Sequence, residues 1–178
     1  MRKTKQIALC AMLIALALAL SYAEHFLPLQ LLIPLPGIKL GLANIVTMTA
    51  LYLLRGRLVF AVVALRCLLG AVFGGGATGL LFSLGGGLLA LLVMVAARKT
   101  GRLSVYGVSV LGAAGHGIGQ ILAAMGLMRS AYVAAYLPYL LLAGIATGLL
   151  TGAACAGVLR GLRYAGIDRL ENGNGRPE

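Results

Sequence analysis

Acidic side chains are nearly absent from this sequence. Of 178 residues only four are acids, and Glu24 stands alone before Asp168. Magnesium-dependent prenyl transfer needs clustered carboxylates to hold the hard cation against a diphosphate. A chain with one acid in its first 167 residues lacks them, so no catalytic role is expected. Tryptophan is missing, and the three cysteines, Cys10, Cys67 and Cys155, lie far apart with no paired spacing. With only two histidines, this argues against a resident metal, an iron–sulfur cluster or a covalently attached haem; no cofactor is expected. No glycine loop runs into Lys-Ser or Lys-Thr, which excludes ATP hydrolysis by that route. Gly74 to Gly79 lacks the lysine that a phosphate cradle would need.

Apolar residues and positive charge are abundant. The chain is 61% hydrophobic and 11% charged, with 15 Lys and Arg and a net charge of +11. In a soluble protein that charge would suggest nucleic acid, but here its placement decides otherwise. Arg2, Lys3 and Lys5, then Arg55 and Arg57, then Arg98, Lys99 and Arg102, then Arg160, Arg163 and Arg169 punctuate long apolar runs. That is the pattern of cytoplasmic loops under the positive-inside rule. The reading is an all-α, multi-pass protein of the cell membrane in contact with lipid, with six transmembrane helices and both termini cytoplasmic. Residues 1–167 form one membrane domain and 168–178 a polar tail. The spans are placed near Gln6 to Ala23, Leu40 to Leu54, from Leu58 to the glycine break at 74–79, Leu80 to Ala97, Ser104 to Leu127, and Tyr132 to Val158 with a kink at Pro138. Tyr132, Tyr136 and Tyr139 suit an outer aromatic belt.

Polar chemistry concentrates between the first two spans. From Glu24 to Asn44 the chain carries Pro28, Pro34 and Pro36, which oppose a continuous helix. This stretch reads either as a lid over a pocket or as an interfacial connection facing water and headgroups. Uncompensated ionisable groups are expensive in lipid, so they face a bundle interior or an aqueous cavity. The candidate binding residues are therefore Glu24, Lys39, Asn44, Arg66, His116 and Gln120, with Ser83 near the outer end of a span and Arg129 at the outer rim. His116 and Gln120 are four apart and share a helix face, beside a small-residue stripe at Gly115 and Gly119. A structural alternative has Glu24 neutralising Arg66 or Lys39 while His116 and Gln120 knit helices together. If the residues line one pocket, the positive excess favours a polar or anionic solute. Ala11, Ala15, Ala19 and Ala23 recur every fourth position, a face that permits close helix approach or packs within the bundle.

Three stretches together resemble a known family: Thr4-Lys-Gln-Ile-Ala-Leu-Cys-Ala-Met-Leu-Ile-Ala, Pro36-Gly-Ile-Lys-Leu-Gly-Leu-Ala-Asn44 and Gly115-His116-Gly-Ile-Gly-Gln120. The chain is similar over residues 4–165 to the Gx transporter family, also labelled heptaprenyl diphosphate synthase component I. That family looks related to the substrate-binding S components of energy-coupling-factor transporters. The resemblance implies an S-component-like bundle in which Ala11, Ala15 and Ala19 dock a transmembrane coupling subunit while cytoplasmic ATPases supply energy. The solute would lie in the outer half, beneath the loop after the first helix. No residue set of a characterised vitamin-binding S component can be matched. An alternative is a non-catalytic accessory subunit of an isoprenoid, quinone or flavin-based electron-transfer pathway.

Overall fold

The protein is described from a computed structural model, which covers residues 3–26, 39 and 41–164. Every regular element among them is helical. Helix α1 spans Lys3–Ala23 and closes in a 3-10 turn at Glu24–Phe26; α2 spans Asn44–Leu53 and α3 Gly56–Gly70. A π-helical turn at Ala71–Gly75 joins α3 to α4, Gly76–Lys99. Helix α5 spans Val105–Met128, a 3-10 segment follows at Ala131–Tyr136, and α6 spans Leu137–Tyr164. The proline stretch at 27–38 lies outside the described residues.

Among the described residues five helical segments are long and apolar enough to cross a membrane, and the protein is an integral, multi-pass membrane protein. Their outward faces carry large apolar side chains such as Met12, Leu16, Phe60, Leu92, Leu122 and Leu149, as a hydrocarbon solvent requires. The expected second span is different. Helix α2 has ten residues, only about 15 Å of helix, half of the hydrocarbon thickness. It is buried along nearly its whole length, so it behaves as an internal element held by its neighbours. Pro138 lies where the 3-10 segment passes into α6, in the first turn of that helix, a position that tolerates a missing N–H. The glycine break is sharper than a bend, with Gly76 in the left-handed region at φ +58°.

Helix α5 is the centre of the bundle, clasped between α4 and α6. The α4–α5 crossing brings backbones into contact at Gly85 and Gly119: a Cβ on Gly119 would overlap the Gly85 carbonyl. Gly148 of α6 admits the Val110 backbone of α5 in the same way, with 2.7 Å from its would-be Cβ to Val110 Cα. Small residues allow dispersion contacts that lipid cannot match, and that drives helix association in a membrane. The remaining layer is α1, α2 and α3, with α1 outermost and only Leu13 and Ala17 of it buried. Near the other end of α2, the Arg98 guanidinium donates to the Leu51 carbonyl and stacks 4.4 Å from the Tyr52 ring centroid, tying α4 to α2.

Candidate functional site

The polar residues of the two layers meet at their seam. Glu24 comes from the turn after α1, Lys39 and Gly41 from the approach to α2, Asn44 and Thr47 from α2, Arg66 from α3, Ser83 from α4, and His116 and Gln120 from α5. All six sequence-predicted binding residues are brought together here. Glu24, Asn44, Arg66, His116 and Gln120 are buried, Gln120 completely.

The contacts among them are sparse. One Glu24 carboxylate oxygen accepts the backbone N–H of Leu42. Lys39 Nζ donates to Ser83 Oγ at 3.3 Å, and Cys67 Sγ donates to the Ser83 carbonyl at 3.3 Å. Arg66 Nη2 reaches Asn44 Oδ1 at 3.5 Å, so the guanidinium leans on an amide rather than on the lone acid. Burial pushes the Glu24 carboxyl above its ordinary range, opposed by the Leu42 N–H and by the Lys39 and Arg66 charges. Burial likewise lowers the Lys39 ammonium, and Glu24 opposes that shift.

Glycines let the backbone close around these side chains. Gly41 has φ +83°, a conformation that side chains rarely adopt. A Cβ there would also lie 2.8 Å from Asn44 Nδ2 and 3.2 Å from His116 Nε2. On α4, a Cβ at Gly86 would come within 2.7 Å of His116 Nδ1 and 3.0 Å of Gln120 Cγ, and one at Gly87 within 3.1 Å of Arg66 Nη2. The imidazole therefore lies between Gly41 and Gly86. Although it lies beside the Gly86 backbone, neither nitrogen makes a well-formed hydrogen bond among the described residues.

Eight buried polar atoms have no partner among the described residues: Glu24 Oε2, Asn44 Nδ2, Thr47 Oγ1, Arg66 Nε, both ring nitrogens of His116 and both amide atoms of Gln120. Seven belong to residues whose contacts place them at the seam, and Thr47 lies three residues after Asn44 on α2. Each such atom costs about 1–3 kcal/mol when left unmade, so together they rival the 5–15 kcal/mol that typically holds a domain folded. Among the described residues no three His, Cys, Asp or Glu side chains group to hold a metal ion. The cluster offers organic donors and acceptors around one guanidinium and one ammonium.

The segment from 13 to 158 matches the family described as heptaprenyl diphosphate synthase component I. The chain belongs to that family. The match contains every residue of the cluster, and Ala15 and Ala19 as well, while Ala11 precedes it. No curated protein and no solved structure matches the chain.

Thr47, Gly41, Gly86 and Gly87 are site members that reasoning from sequence missed. A signal existed for two of them: Gly85-Gly86-Gly87 is a glycine triplet inside an apolar span. Thr47 gave none, since threonine is unremarkable in a membrane helix. Ala11, Ala15 and Ala19 lie elsewhere, exposed on the outer face of α1.

Proposed function

We propose that this protein is a non-catalytic, solute-binding membrane subunit, S-component-like in role, that takes a small polar or anionic molecule into the seam between its two helix layers. One observation carries this reading: eight buried polar atoms without partners among the described residues gather around the seam. A purely structural knot would pair them with one another, as Ser109 and Thr151 pair at 2.7 Å between α5 and α6. A bound solute supplies the missing partners. In this reading the N-terminus and the basic helix ends face the cytoplasm. The exposed Ala11, Ala15 and Ala19 receive a transmembrane coupling subunit, and cytoplasmic ATPases drive release inward.

A second reading is favoured by the family's description, which points more directly to isoprenoid metabolism than to import. There the chain is an accessory membrane subunit of an isoprenoid or quinone pathway. Native mass spectrometry on protein purified from its own membrane without added ligand separates the two, with Arg66→Ala alongside. A retained small molecule that the variant loses, together with ATPase subunits, supports the importer. Co-purifying isoprenoid or quinone enzymes with no small molecule, unchanged by the substitution, refutes it in favour of the accessory subunit.

A further inference from the structure

The charges and orphaned atoms of the seam narrow what it accepts. Lys39 and Arg66 bring two cations and Glu24 one carboxylate, with His116 counted neutral. Burial favours the neutral forms of Glu24 and Lys39 alike. A proton passing from the ammonium to the carboxylate leaves the balance unchanged, at one positive charge. Holding that charge without a counter-ion costs several kcal/mol in a low-dielectric interior. One negative charge cancels it, whereas a second would recreate the penalty with opposite sign.

The orphaned atoms add a separate constraint. Arg66 Nε, Asn44 Nδ2 and Gln120 Nε2 are donors, while Glu24 Oε2 and Gln120 Oε1 are acceptors of the carboxylate and amide forms. A neutral imidazole offers one of each, and the Thr47 hydroxyl can do either. A bare carboxylate brings only acceptors, so it would leave Glu24 Oε2, Gln120 Oε1 and one His116 nitrogen as costly as before. The occupant must carry N–H or O–H groups of its own.

We infer that the seam takes a small monoanion bearing hydrogen-bond donors, of the class of an amide- or ring-N–H-containing monocarboxylate, and excludes diphosphates. This rests on the solute-binding reading above. A diphosphate carries several negative charges and mainly acceptors, so it fails on both counts. The head group of a prenyl diphosphate is therefore not what this site holds.

The test uses the full chain in lipid nanodiscs, with thermal unfolding as the readout. A small-molecule extract of its native cells is separated on an anion exchanger into unretained, monoanionic and polyanionic fractions, and each is added; inorganic pyrophosphate is added separately. Stabilisation by several degrees from the monoanionic fraction alone is expected, lost in Arg66→Gln and absent with pyrophosphate. Glu24→Gln keeps an acceptor for the Leu42 N–H but adds a positive charge, and it should shift the stabilising material toward the polyanionic fraction. Arg66-dependent stabilisation of wild type by pyrophosphate, by the polyanionic fraction or by the unretained fraction overturns the monoanion assignment while leaving solute binding intact. No stabilisation by any fraction overturns solute binding itself.

Discussion

Replacing Gln120 by leucine should make the protein more stable and functionally inert. Gln120 is fully buried and both of its amide atoms lack partners among the described residues. Leucine is close in volume and removes both orphans. At about 1–3 kcal/mol for each unmet group, less some mismatch in shape, the gain is about 2–4 kcal/mol. Replacement of unpaired polar groups by apolar isosteres is often neutral or stabilising for this reason. For a chain of this length the lower figure corresponds to roughly 4–8 °C in melting temperature. Ligand-free wild type and Gln120→Leu would be melted in detergent, and the solute each retains from the native membrane compared by mass spectrometry. The expected result is a higher melting temperature together with loss of the retained molecule. A lower melting temperature with the molecule still bound would refute the reasoning, because it would mean that the amide is already satisfied and that leucine merely disrupts packing.

Other outcomes follow from the same geometry. Gly119→Ala drives a methyl into the Gly85 carbonyl, a backbone atom that cannot step aside, and should cost about 3 kcal/mol in unfolding measurements. Gly112→Ala crowds the buried Met94 side chain from its Cγ at 2.6 Å to its terminal methyl, which can repack where a backbone carbonyl cannot, and should cost less than Gly119→Ala, about 1–2 kcal/mol; equal losses would contradict the backbone-contact account of the α4–α5 crossing. Glu24 binds its proton more tightly folded than unfolded, so ligand-free stability should fall as pH rises from its ordinary value of 4.5 through the raised one. Lys39 holds its proton less tightly folded, so stability should rise again as pH climbs through its lowered value toward 10.5. Melting curves across pH check both limbs, and Glu24→Gln should remove the acidic one. Ala15→Phe, on the exposed face of α1, should leave the unfolding free energy within about 0.5 kcal/mol of wild type yet abolish co-purification of a coupling subunit. A complex that survives this change argues against α1 as the docking face.

Much of the architecture was legible in the sequence because a membrane punishes polarity so heavily. Apolar runs punctuated by Arg and Lys mark α1, α3, α4 and α5 to within about four residues, and α6 less closely, at 132–158 against Leu137–Tyr164. The same penalty makes Arg66, His116 and Gln120 conspicuous as site candidates from the sequence. The misplaced features share a physical cause. Sequence suggested a full span near residues 40–54, but whether an apolar helix crosses or is merely buried depends on its neighbours, and α2 is covered by α1, α3, α4, α5 and α6. Pro138 signals a break without saying whether it interrupts a helix or begins one.

Which side chains must be hidden from lipid is readable along the chain, since it follows from transfer energies one residue at a time. Where they are hidden depends on how the helices pack. Glycine crossings bring α4 and α5 close enough to bury His116 and Gln120 against Gly86, and the return of the chain into α2 carries Asn44 within reach of Arg66. Convergence depends on the distances between helices, and these are set by which small residues meet across an interface rather than by the period along any one helix.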